Sequence, residues 1–174
     1  MFEPYFHQMP LRLVFWAVLA TLASSVAGAA EPVSNDVGTV FWHPDEAHCR
    51  FVRSGAVEPN PEKPESWRYI FVTELISDDI SSTERGYMRL GGLLRELEFL
   101  DRRETASGEV RQYKTLGQPS WNIEVDMRAG ESRKSKLGQT VFFEYTGTVS
   151  VSVGHSQRLV PFTGSCGVEP EKLK

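Results

Sequence analysis

Cysteine is scarce in this 174-residue chain, which has only Cys49 and Cys166. Neither belongs to a CxxC pair, so thiol-rich zinc spacings and thioredoxin-like redox motifs are excluded. Basic stripes are also missing: 19 Lys and Arg are interspersed among 23 Asp and Glu, for a net charge of −4. Nucleic-acid binders carry such a stripe, so nucleic acid is not an expected partner. There is no internal repeat, no glycine loop for a nucleotide and no metal-ligand spacing, and the sequence assigns no cofactor, no metal and no catalytic residue. Beyond residue 30 no apolar run reaches the roughly twenty residues that a spanning helix needs. No stable membrane insertion is therefore expected of that part.

The amino terminus does hold a short apolar run. Arg12 precedes Leu13-Val14-Phe15-Trp16-Ala17-Val18-Leu19-Ala20, which dilutes into Ser24, Ser25, Ala27, Gly28, Ala29 and Ala30 before Glu31-Pro32. A charge, a brief apolar core and a small-x-small exit describe a secretory signal over residues 1–30. Cleavage is expected after Ala29 or Ala30, with the product periplasmic or secreted. Residues 31–174 then have the size of one domain. An even cysteine count in an exported chain reads as a disulfide, here Cys49 to Cys166, bracketing most of the domain. His43, Asp45, Glu46 and His48 beside Cys49 offer metal-ligating types, but at a spacing that matches no established site.

Period-two patterning dominates after Trp67. Trp121-Asn122-Ile123-Glu124-Val125-Asp126-Met127-Arg128 alternates apolar and polar residues without a fault, as a half-buried strand requires. Thr148 to Val153 does the same, and Gly154-His155-Ser156-Gln157 turns it into Arg158 to Thr163, which reads as a hairpin. Pro161 cannot donate to a ladder, so this last strand is expected at an edge or with a bulge. Further runs cover Arg50 to Val52, Trp67 to Leu75, Arg85 to Leu90, Glu109 to Thr115 and Thr140 to Tyr145. Glu31 to Gly38 reads as a loose amino-terminal arm, and Glu58 to Glu65 as a proline-rich charged surface loop.

Leu93 to Leu100 is open between two states. Leu93, Leu97 and Leu100 have helical spacing, whereas the preceding Gly91-Gly92 suits a tight hairpin turn into a strand. The fold class expected is mostly β: a single antiparallel meander barrel or sandwich of about eight short strands, closed by one disulfide.

Chemistry-bearing residues are few. Asp78-Asp79 beside Ser81-Ser82-Thr83 reads as a solvated turn. Gly164-Ser165-Cys166-Gly167 lacks the strand-turn-helix context of a nucleophile elbow, and His155 in a turn has no group to orient it as a base. Aromatic residues are the better lead. Trp121, in register with Ile123 and Val125, belongs to the core, while Trp42 lies outside any alternating run and is a candidate partner contact.

Thr105-Ala106-Ser107-Gly108-Glu109-Val110-Arg111-Gln112-Tyr113 resembles a loop of the periplasmic inhibitors of C-type lysozyme, small exported β-barrels. The Tyr87 to Gly92 hairpin is similar in placement to theirs, and the resemblance runs from about Tyr87 to Trp121. It implies that Ser107 and Gly108 contact the enzyme. Read alone, Ser107-Gly108 is a turn between strands.

The functional expectation is an exported non-enzymatic β-domain that binds a protein or envelope component, with lysozyme inhibition as one alternative. A second alternative is an envelope-directed hydrolase drawing on His43, His48, Asp78, Asp79 and His155. Convergence of those histidines and acids in one concave pocket favours the hydrolase; a flat or protruding surface favours binding.

Overall fold

Alternating apolar and polar residues become ladder almost wherever they occur. A computed structural model describes residues 34–77, 82–134 and 141–167. The apolar leader and Asp78, Asp79 and Ser81 lie outside the described residues. The strands are β1 (Val40–Phe41), β2 (Cys49–Arg53), β3 (Arg68–Tyr69), β4 (Phe71–Ser77), β5 (Ser82–Leu90), β6 (Leu93–Thr105), β7 (Gly108–Thr115), β8 (Asn122–Lys134), β9 (Val141–Val153) and β10 (Ser156–Gly167). From β4 onward each strand pairs antiparallel with the next, and β2 pairs with both β4 and β10. The result is a closed eight-stranded meander barrel, with β1 and β3 forming a separate two-stranded sheet. Residues 33–174 form one compact unit, to which every strand belongs. Among the described residues no helix is long and apolar enough to cross a membrane.

An eight-stranded barrel is just wide enough for side chains to fill, and this one is filled. Ile123, Val125 and Met127 point inward and are buried, while Asn122, Glu124 and Asp126 are exposed between them. Phe51, Phe71, Met88, Leu90, Leu97, Tyr113, Trp121, Val149, Val151 and Phe162 complete the core. Phe51 stacks between Phe71 and Phe162 at 5.5 and 4.2 Å, and each such buried ring stabilises by about 1.5–3 kcal/mol. Trp121 is core, as its alternation predicts.

The Leu93 to Leu100 segment is strand. Gly91 and Gly92 have φ of +56° and +82°, the paired positive values of a two-residue hairpin turn that side-chain-bearing residues resist. Leu90 therefore faces Leu93, and the helical leucine spacing has no core to serve, since Leu93, Leu94 and Leu100 are exposed.

One expectation is corrected and another is met in part. The amino-terminal arm is docked from Asp36 onward: Val37 is buried and bridges Leu90, and Asp36 accepts a hydrogen bond from the Gly91 N–H. The Gly38 N–H also donates to the Arg89 carbonyl, and Arg53 donates to the Val37 carbonyl, so backbone pairing and one buried apolar residue together hold the arm. Pro161 does not bulge β10, whose register with β9 is continuous. On the other side β2 registers only from Phe162 onward, so Pro161 sits where the strand is locally an edge. Just past β2 the Ser54 N–H donates to the Pro161 carbonyl, and the missing N–H falls at the end of the ladder.

The disulfide forms as expected, Cys49 to Cys166. These residues are directly opposed in β2 and β10, so the bond fastens the first barrel strand to the last across the closure seam.

Candidate functional site

At the Cys49 end, the barrel interior turns from apolar to ionic. Glu109, Arg111, Tyr113 and Thr115 alternate along β7 and are all buried, so a single strand face delivers two opposite charges into the core. Arg111 donates to both carboxylate oxygens of Glu84 at 2.7 and 2.9 Å, and to Glu109 at 2.6 and 2.8 Å. The Tyr113 hydroxyl donates to Glu84 at 2.8 Å, and Arg111 Nη1 lies 3.4 Å from the Cys49 sulfur. Arg102 reaches the second oxygen of Glu109.

Arg102 arrives there because of a bulge. The ladder between β6 and β7 slips between Phe99 and Asp101, and the extra residue shifts the alternation so that Arg102 lies opposite Arg111. Bulges re-aim side chains in this way. The network holds two carboxylates and two guanidinium groups, so its charges balance. Desolvation works against the Arg111 charge, but Glu84, Tyr113 and Glu109 outweigh it and the pKa is raised. Burial foremost, then Glu84, pushes the Tyr113 hydroxyl well above the ordinary tyrosine value, with Arg111 opposing. Tyr145 is raised by burial and then by Glu109. With its groups mutually satisfied, the network serves as a polar plug.

The histidines of the hydrolase reading are held apart. His48 precedes Cys49 at the ionic end, where its carbonyl accepts from the Gly167 N–H. His155 sits in the β9–β10 turn at the opposite end, with the packed core between. His43 packs edge-on against Trp67 at 4.6 Å on the outside of the barrel, and its Nδ1 accepts from the Asp45 N–H at 3.3 Å. Asp45 and Glu46 are exposed. Among the described residues no group of three His, Cys, Asp or Glu is placed to hold a metal. Ser165 and Cys166 lie within β10 rather than in a turn.

Ser107 is exposed in the two-residue turn between β6 and β7. Its neighbour Gly108 has a structural reason to be glycine: a Cβ there would lie 1.9 Å from the Met127 carbonyl oxygen of β8.

The remaining surface feature is aromatic. Val52 and Val72 face outward from β2 and β4, and with Val40, Ala47 and Tyr69 they form a second small core beneath the β1–β3 sheet. This sheet is a strap across the outer barrel wall. Its alternation sets Phe41 and Trp42 on opposite faces. Trp42 faces inward, packs on that core and stacks on Tyr87 of β5 at 4.6 Å. Phe41 and His43 alternate to the other face and flank Trp67, which also packs on that core and whose ring centre is 5.8 Å from that of Phe41. Trp67 Nε1 donates to the Asn60 carbonyl at 3.0 Å, tying down the proline-rich loop. Phe41 is 58% exposed.

Sequence reasoning singled out Trp42, which proves to be the underlayer, and passed over Phe41, the exposed ring. The alternation Val40-Phe41-Trp42-His43 was a usable signal, but four residues do not say which face is wet. The chain matches no known family, no curated protein and no solved structure.

Proposed function

We propose that this protein is an exported, non-enzymatic binding domain whose contact surface is the aromatic strap. The observation that carries the proposal is the cluster of Phe41, Trp67 and His43 outside the barrel core, in which Phe41 is exposed and the other two rings are half-buried. Aromatic rings offer large, rigid contact area and are enriched where partners bind. The disulfide fits an oxidising compartment, and the leader pattern of residues 1–30 supplies the route to it. The strap is tested by immobilising the purified protein and its Phe41→Ser variant and exposing both to solubilised cell-envelope extract. Species retained by the parent and lost by the variant support the reading; identical retention overturns it. Intact mass of native material tests export, with a chain beginning at Ala30 or Glu31 expected and retention of Met1 refuting it.

A second reading is inhibition of C-type lysozyme through Ser107 and Gly108. It is favoured by the exposure of Ser107 at the tip of its hairpin. Undiminished lysozyme activity at micromolar excess of the protein ends it.

A further inference from the structure

We infer that a cavity beside the strap takes an aliphatic carboxylate, a free fatty acid of medium chain length, with its tail inside and its headgroup on two arginines. The cavity measures about 290 Å³ and lies where β2 and its following turn meet β3. That is near the lower bound for small-molecule sites. Val52 and Ile70 form its buried floor, and Ala56 and Val57 are exposed beside them. Val57 is 91% exposed, an apolar side chain held in water at the rim of an apolar hollow. The turn that carries it is fixed to the barrel: the Ala56 N–H donates to the Arg53 carbonyl at 2.9 Å, and the Ser54 N–H to that of Pro161 at 3.0 Å. None of Phe41, Trp67 and His43 lines the cavity, so the site is separate from the proposed contact surface and goes beyond it.

Arg53 and Arg68 also line this cavity. Among the described residues neither guanidinium is paired with a carboxylate. Arg53 donates to the backbone carbonyl of Val37, which leaves its charge unopposed. The acids next in sequence to the lining, Glu58 and Glu65, are exposed and do not line it. An arginine lays its apolar stem along such a wall and keeps its charged head in water. An apolar hollow under two such heads matches a molecule with an alkyl tail and an anionic end. A guanidinium holds a carboxylate through paired, charge-assisted hydrogen bonds, while Val52, Ala56, Val57 and Ile70 take the tail out of water. A neutral glycan has no alkyl tail to fill the hollow, and a cationic ligand would meet Arg53 and Arg68 as like charges.

Isothermal titration calorimetry of the purified protein with hexanoate, octanoate, octanol and acetate tests the site. Octanoate is expected to bind, more tightly than hexanoate by about four-fold per methylene, and more tightly than octanol or acetate. Arg68→Gln should weaken octanoate about five-fold, the upper end for an exposed ion pair. Val57→Ser should weaken it about four-fold through lost apolar contact. Arg68 and Val57 are both exposed, so an unchanged melting temperature in each variant separates lost binding from lost folding. Arg128→Gln, the same charge change at an exposed position of β8, should leave binding unchanged. Octanol as tight as octanoate removes the arginines from the site, acetate as tight removes the hollow, and either result overturns the inference. So does octanoate binding that survives Arg68→Gln or Val57→Ser undiminished, equal weakening by Arg128→Gln, or no binding of octanoate at millimolar concentration.

Discussion

Replacing Arg111 with methionine isolates the energetics of the buried network. The guanidinium is 5% exposed and makes close contacts with Glu84 and Glu109, the latter 3% exposed. Methionine fills much of the same volume and is apolar, so the change removes charge more than packing. Breaking a buried ion pair from one side costs about 3–5 kcal/mol, because the partner charge stays behind without compensation. Here Glu109 keeps Arg102 and Glu84 keeps the Tyr113 hydroxyl, which places the expected loss near the lower bound, about 3 kcal/mol. Urea unfolding followed by tryptophan fluorescence reads it as a lower midpoint at unchanged slope. A companion variant, Glu84→Gln, Glu109→Gln and Arg111→Met, leaves no charge unpaired in the interior. It strands only Arg102, whose side chain is 38% exposed, so most of the stability should return. A midpoint for Arg111→Met within about 0.5 kcal/mol of the parent would refute the claim that these charges are shielded from water. A triple variant no better than the single would show that lost packing, not stranded charge, sets the cost.

Replacing Cys49 and Cys166 with alanine should cost about 4–5 kcal/mol by chain entropy for a closed loop of this length, and thermal denaturation should show a markedly lower midpoint. A shift no larger than that of a surface mutation would refute it. Tyr113, Tyr69, Tyr87 and Tyr145 all have raised pKa values, burial being the leading cause in each. A proton held more tightly by the folded state than by the unfolded chain stabilises fully below about pH 10. That contribution fades as pH rises from there towards the folded values. Tyrosinate absorbance should thus rise late and together with alkaline unfolding, and a full titration in still-folded protein would contradict this. Gly108→Ala must displace β8 or the hairpin and should lose about 1–3 kcal/mol, whereas Ser107→Ala should leave the melting temperature unchanged. Equal stability of both would remove the close approach as the reason for Gly108.

Much of the barrel was legible because one wet face and one buried face impose a two-residue period wherever a strand has both. Asn122 to Arg128 and Thr148 to Val153 show it plainly. β7 does not: Glu109, Arg111, Tyr113 and Thr115 point into the barrel, and between them Val110 is also buried while Gln112 and Lys114 are exposed. Neither face is apolar, so no pattern marks which one enters the barrel. Leu93, Leu97 and Leu100 mislead in the opposite sense, because an exposed leucine carries the same letter as a buried one. On the strap, Trp42 drew notice by its isolation, yet which of Phe41 and Trp42 faces water depends on β3, which lies more than twenty residues further along the chain.

The amino-acid order alone determined the β class, the approximate strand count and the expected Cys49–Cys166 link, since alternation, turn glycines and cysteine count are local or additive properties. Only the tertiary structure decided that the sheet closes on itself and that the link spans its seam. It also decided that Glu84, Arg102, Glu109 and Arg111 meet inside, and that Phe41 rather than Trp42 faces water. Those outcomes depend on register between distant strands and on one bulge that reverses a face, and such pairings are set by the packing of the whole barrel.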